Sequence, residues 1–277
     1  MTTTLSARVV AAASSLAILS LCAVAAAQDA PDPAAAALQV TPTLRTFTET
    51  ATLSMTGLLE VEAAYRLDIA ALDGPVAHDL DVHSAELLVG YAVSPVFEGR
   101  VGWHLFSFSE SDEFGRYGGL GNPYVDGKFR LRLPSSSTPQ SLAIRGRVEA
   151  GLARELGSEG ATLGAAALYT VRVGDFLIDA NAGVDFNTAQ SPAYVSIPLS
   201  GRGTWEPTVW CDVYAELIEV LRVDELRTSA TLVRGGVGFM PVDTVSLDIT
   251  GGVGLSTTVP AGQLMLSAAF LTRPPSR

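Results

Sequence analysis

The stretch Leu58-Leu59-Glu60-Val61-Glu62-Ala63-Ala64-Tyr65-Arg66-Leu67-Asp68 decides the fold. Leu59, Val61, Ala63, Tyr65 and Leu67 take alternate positions, with Glu60, Glu62, Ala64, Arg66 and Asp68 between them. Successive side chains of a strand project to opposite faces, so this stretch predicts a strand with one apolar and one ionic face. Residues 140–152 repeat the pattern, setting Leu142, Ile144, Gly146, Val148, Ala150 and Leu152 against Arg145, Arg147 and Glu149. Residues 176–187 repeat it again, setting Phe176, Ile178, Ala180, Ala182, Val184 and Phe186 against Asp179, Asn181, Asp185 and Asn187.

Weaker copies predict strands at 80–91, 96–108, 123–133, 161–173, 193–205, 208–219, 228–240, 245–255 and 263–271, twelve strands with the three above. Short connections such as Gly174-Asp175 alternate with longer ones such as Ser109 to Asn122. An even strand number with turns at one end and loops at the other is the pattern of bacterial outer-membrane barrels. The expected fold is therefore all-β, an antiparallel up-and-down transmembrane β-barrel of about twelve strands. From Phe176 to Phe186 the outward face runs for ten residue steps. At about 3.3 Å per residue and a tilt of about 40° this gives roughly 25 Å, the apolar height of such barrels. A soluble β-sandwich, with the apolar face as its core and the ionic face wet, has the same period. Strand length and the small residues Gly146, Ala180 and Gly251 on the apolar face favour lipid.

Composition agrees. The 277 residues are 48% hydrophobic and 17% charged, and the net charge of −11 opposes a nucleic-acid partner, which needs a basic patch for phosphates. Residues 1–27 carry Arg8, an apolar run and Ala25-Ala26-Ala27, the form of a cleaved export signal. Leu21 before Cys22 suits lipoprotein cleavage poorly, and removal of the signal leaves Cys211 as the one cysteine, so no intrachain disulfide is expected. Residues 28–51, with Pro31, Pro33 and Pro42, read as a periplasmic N-terminal linker, 52–271 as the barrel and 272–277 as a tail. The location expected is the outer membrane, and the partners are its lipid, the barrel-insertion machinery and a small solute.

Parity assigns the faces. Inward lie Glu60, Glu62, Glu86, Arg100, Lys128, Arg130, Arg132, Arg145, Arg147, Glu149, Asp179, Asp185, Asp212, Glu216, Arg234 and Asp248. Tyr91, Phe97, Phe176, Trp205, Phe239 and Phe270 gather at the periplasmic rim, and Phe186 ends its span at the opposite one, as an aromatic girdle requires. Arg100, Lys128, Arg130, Arg132, Arg145 and Arg147 come from three consecutive strands, with Asp212 and Asp248 roughly opposite. Two outcomes are open: a transverse field that orients a solute, or ion pairs that only stiffen the wall.

A motif adds a resemblance. Gly118-Gly119-Leu120-Gly121-Asn122-Pro123-Tyr124-Val125-Asp126-Gly127-Lys128-Phe129-Arg130-Leu131 resembles the Gly-Leu-Gly-Asp and Gly-x-Lys-Tyr-Arg segment of the bacterial outer-membrane transporter-like proteins grouped as the phenol meta-pathway degradation family. Asp175 to Gly183, Val213 to Glu216 and Ser246 to Gly254 are similar to further strands of that family, and the similarity spans about residues 57–271. Asn122 stands where the family has Asp, and seven residues follow Phe270 where such barrels often end. The resemblance implies a barrel that lets small, often hydrophobic or aromatic compounds across passively. A non-conducting structural or receptor barrel is the alternative, followed by a soluble β-protein or barrel hydrolase.

No catalytic set, metal site or cofactor is read from the residues. His78, His83 and His104 lack metal-motif neighbours, and no Gly-x-Ser-x-Gly elbow occurs. His83-Ser84 and His104 with Ser107 are the only pairs to weigh for a hydrolase. Gly119-Leu120-Gly121, Gly236-Val237-Gly238 and Gly252-Val253-Gly254 lack the third glycine and the helix of a dinucleotide site. Cys211 reads as a small lipid-facing hydrophobe, and Pro198 inside a predicted strand calls for a bulge or a shifted boundary.

Overall fold

The computed structural model describes residues 44, 47–54, 56–71, 79–111, 115–133, 139–151, 160–188, 193–223, 229–256 and 259–272. The export signal, most of the 28–51 stretch and the tail after Thr272 lie outside the described residues. Thirteen strands follow in order: β1 (Leu59–Ala71), β2 (Asp79–Ser94), β3 (Phe97–Ser111), β4 (Gly115–Gly119), β5 (Pro123–Arg132), β6 (Gln140–Gly151), β7 (Gly160–Val173), β8 (Phe176–Asn187), β9 (Tyr194–Thr208), β10 (Cys211–Arg222), β11 (Ser229–Val242), β12 (Val245–Gly254) and β13 (Gly262–Thr272). Neighbours pair antiparallel, and β1 pairs with β13 from Leu59↔Thr272 to Ile69↔Gly262, which closes the sheet. The barrel has twelve strands; the short β4, inside the stretch expected to be an outer loop, pairs only with the far end of β3.

The faces exclude a soluble sandwich. Along β8, Ile178 is 47% exposed while its neighbour Asp179 is 1% exposed; along β12, Leu247 is 45% and Asp248 3% exposed. The apolar side chains thus cover the outside and the ionic ones are enclosed. Short turns, among them Gly174-Asp175 and Asp243-Thr244, mark one end of the barrel, here called the turn end. The other is the loop end.

Register shifts occur in several strand pairs, and the positions of Arg132, Pro198 and Cys211 bear on the expected faces. Pairing of β5 with β6 slips between Arg130↔Ala143 and Arg132↔Leu142, so a bulge sits at Leu131. A bulge reverses the parity beyond it. Arg132, expected inward, therefore shares the outer face with Leu142, and its guanidinium reaches Gln140 at 3.4 Å. Pro198 needs neither a bulge nor a new boundary: it pairs in register with Val220 of β10. On its other side the β8–β9 ladder lapses between Ala182↔Leu199 and Asp185↔Ser196, where Pro198 adjoins Gly183. Cys211 sits opposite the outward Phe239 but is only 3% exposed, so it is packed rather than lipid-facing.

Close packing fixes two inward tyrosines. A Cβ on Gly102 would fall 2.0 Å from the Tyr124 ring, and one on Gly236 would fall 2.5 Å from the Tyr214 ring. Each ring therefore lies across the bare backbone of the adjacent strand, which only glycine permits. Gly102→Ala should displace Tyr124 and cost about 1–3 kcal/mol, read by urea unfolding of the refolded barrel in vesicles. Gly146→Ala, whose added methyl meets nothing within 4 Å, should leave the midpoint nearly unchanged.

Candidate functional site in the barrel bore

The bore is crossed by the chain's own N-terminal segment. Residues 47–54, which straddle the 51/52 boundary between the expected linker and the barrel, form no strand. The Thr48 amide donates to Glu216 of β10. The Thr170 hydroxyl of β7 accepts the Ala51 amide at 2.7 Å and lies 3.1 Å from the Thr50 hydroxyl. Ser141 of β6 donates to the Ala51 carbonyl at 3.3 Å, and Lys128 of β5 donates to the Thr50 and Thr52 carbonyls at 3.2 and 3.4 Å. The Ser54 amide donates to Glu98 of β3 at 2.8 Å and its hydroxyl to Glu60 of β1. A peptide bonded to so many strands lies across the lumen rather than along one wall. Gly57, at φ +81°, makes the turn into β1 and donates to the Ala92 carbonyl near the turn end at 3.0 Å. That left-handed backbone disfavours any residue with a Cβ.

At the centre of the segment stands Glu49, 6% exposed. Its carboxylate accepts from Arg100 at 2.8 Å, lies 3.5 Å from the Lys128 ammonium and accepts from the Arg145 guanidinium. Turned to satisfy both of its groups, the Asn181 amide of β8 accepts the Glu49 N–H at 2.6 Å and donates to its carbonyl at 3.0 Å. Burial alone would raise the Glu49 carboxyl, but Arg100, Arg145 and Lys128 outweigh it and hold the group well below the usual carboxylate range. Beside it, Ala51 packs against Ala143 and Leu168, with Ala166 at the edge.

The other inward charges fall into separate groups. Arg100 also meets Asp126 at 2.5 Å and Glu98 at 3.8 Å. Nearer the loop end, Arg147 lies 3.7 Å above the Tyr124 ring and donates to Glu149 at 2.9 Å, while Tyr124 donates to Glu86 at 2.5 Å. The imidazole of His104 stands between Glu86 and Glu149 at 3.5 and 3.7 Å, with the Arg147 guanidinium 3.1 Å from its Nε2. On the far wall Arg202 pairs with Asp179 at 2.6 Å, Thr170 donates to the same carboxylate at 2.6 Å, and Arg234 approaches Glu216 at 3.8 Å. Asp248 accepts from Ser246 at 3.1 Å, Asp212 and Glu62 are buried, Asp185 and Arg130 are half-buried, and Glu62 accepts the Leu44 amide at 2.7 Å. The six cations expected in one row are thus divided: three bind Glu49, Arg147 joins the loop-end group, Arg130 stands apart, facing Glu98 at longer range with no ion pair among the described residues, and Arg132 is outside.

The aromatics expected as a girdle are outward-facing. Tyr91, Phe97, Phe176, Phe239 and Phe270 are exposed and Trp205 is half-exposed; all lie at the turn end, and Phe186 is exposed at the loop end. His83 is also outward, stacked on Phe108 at 4.5 Å with the Tyr65 hydroxyl 2.5 Å from its Nδ1. Adjacent residues face opposite ways, so His83 and Ser84 cannot meet. Parity did hold the signal for Glu98, Asp126, Tyr124 and Arg202, which alternate with outward neighbours. Glu49 had no such signal, because its segment has no period.

Removing one member of a buried pair strands the other. Arg202→Met should cost about 3–5 kcal/mol by leaving Asp179 without its guanidinium, and Arg202→Met with Asp179→Leu should recover most of it. Urea unfolding in vesicles, followed by tryptophan fluorescence, measures both.

No family model matches the sequence, and no curated protein does either. Solved structures are similar in fold. The COG4313 outer membrane channel from Pseudomonas putida F1 superposes with a TM-score of 0.64 at 14% identity, over 84% of this chain and 100% of that one. The NanC porin gives 0.54 at 9% identity and the KdgM porin 0.52 at 8%, each over 76% of this chain and 98% of the porin. The chain therefore has the fold of these outer-membrane barrels.

Proposed function

We propose that this chain is an outer-membrane channel that lets small solutes across passively, and that it belongs to the phenol meta-pathway degradation family. The observation that carries the reading is the inversion of faces, an apolar outer wall around an ionic bore. A membrane gives exposed leucines and isoleucines an apolar surround, and an ionic bore gives polar solutes a wet one. Similarity of fold to a channel and two porins supports it. The family motif adds support through where its residues lie: Asn122 donates to Glu149 at 3.2 Å, Asp126 pairs with Arg100, and Lys128 holds the segment. In this reading residues 1–27 are the export signal, residues 28–51 a periplasmic linker, the turn end faces the periplasm, and insertion machinery places the barrel in lipid. The solute path runs between the cationic wall of β3, β5 and β6 and the acidic wall carrying Glu60, Glu62, Asp212, Glu216 and Asp248. Small hydrophobic or aromatic compounds are the proposed cargo.

Planar-bilayer recording tests the channel. Conductance is expected, and Arg130→Gln, which removes the cation that stands apart, should shift the reversal potential toward cations; a protein that inserts and never conducts would leave the non-conducting barrel as the better reading. The membrane itself is tested at mid-span, where Ala182 faces outward on β8. Ala182→Arg should cost about 2–4 kcal/mol in bilayer refolding, whereas a charge on a wetted surface would cost almost nothing.

A further inference from the structure

We propose that Arg100, Lys128 and Arg145 form a binding site for a small apolar carboxylate, and that Glu49 occupies it as the chain's own stand-in for that ligand. The inference rests on the channel reading, whose solutes would reach the site through the bore.

Three features point to a ligand rather than a structural ion pair. First, the charges are incomplete without Glu49. Arg100 has wall carboxylates in Asp126 and Glu98, whereas among the described residues the ion pairs of Lys128 and Arg145 are with Glu49. With the segment in place the side chains of Arg100 and Lys128 are 1% and 3% exposed, so Glu49 meets them away from water. Second, Glu49 is not part of the wall. Its segment is held by side chains, Asn181, Thr170, Ser141 and Lys128 among them, and by no strand ladder. It can therefore leave while the barrel keeps every ladder bond. A carboxylate on a strand could not.

Third, an apolar patch lies next to the clamp. Ala143 precedes Arg145 by two residues on the same face of β6, and Leu168 and Ala166 are the cross-strand partners of Ala143 and Arg145. Ala51 covers this patch in the docked segment. Two steps along a strand span about 7 Å, the reach of a carboxylate joined to a ring or a short alkyl chain. The segment thus presents to the wall a carboxylate and a methyl where the ligand would present a carboxylate and a hydrocarbon body. Guanidinium groups suit the role because their planar donors match the two oxygens of a carboxylate. Binding of the solute and docking of residues 47–54 are then mutually exclusive, so that the cargo clears its own path.

The test reads docking without current. Thr50 and Thr170 have hydroxyls 3.1 Å apart, so Thr50→Cys with Thr170→Cys, in a Cys211→Ser background, should form a disulfide on mild oxidation of the purified full-length barrel. Sodium benzoate should slow cross-linking in a concentration-dependent way relative to sodium chloride of equal ionic strength, and benzyl alcohol should not. Glu49→Gln in the same background should lower the rate about tenfold or more while keeping heat-modifiable gel mobility. Equal effects of benzoate and benzyl alcohol, or no effect of benzoate, would overturn the site; an unchanged rate in Glu49→Gln would overturn the stand-in. Recording the same double-cysteine protein before and after reduction keeps the two proposals apart. Benzoate-sensitive cross-linking in a barrel that never conducts would sustain the carboxylate site and defeat the channel.

Discussion

Closure of the sheet between β1 and β13 is the constraint on which everything else in this structure depends. An open edge would leave a row of unpaired backbone groups, which neither hydrocarbon nor a stable monomer tolerates. Eleven consecutive residue pairs, from Leu59↔Thr272 to Ile69↔Gly262, remove it. Once the ring is shut, every second side chain of each strand points into an enclosed space. Residues that would be solvated on an open sheet must find partners there.

The bore is therefore a problem of buried charge. Isolated ions are expensive to enclose, and they persist only in hydrogen-bonded groups. The inner wall meets this need in three ways. Asp179 and Arg202 pair across neighbouring strands; Glu86, Tyr124, His104, Arg147 and Glu149 share one network toward the loop end; Arg100, Lys128 and Arg145 meet a carboxylate that no strand supplies. The last solution is the unusual one. It leaves the neutrality of one wall to a segment that is held by side chains and by no strand ladder.

Much of this was legible in residue order. Alternation in residues 58–68, 140–152 and 176–187 located strands to within three residues, because an enclosed ionic face and an apolar outer face leave a period of two in the sequence. Parity then put Glu60, Lys128, Asp179 and Asp248 on the inner wall. It failed at Arg132, since one extra residue in a strand reverses all that follows and nothing in the local composition marks Leu131 as a bulge. It was silent on β4, a short Gly-rich strand that exists only because the end of β3 offers a free edge. Pro198 looked like a defect and is accommodated by a lapse in the ladder opposite Gly183, a relation between residues fifteen positions apart.

By itself the sequence determined the class of fold, the approximate strand number and which chemistry faces which way, because those properties are periodic and periodicity survives in one dimension. What the bore contains was decided only in three dimensions. Glu49 sits in an aperiodic stretch, 51 residues from Arg100 and 96 from Arg145, and no local pattern records which distant cations will surround a carboxylate. Only the curvature of a closed sheet brings β3, β5 and β6 to one side and lays the incoming segment against them.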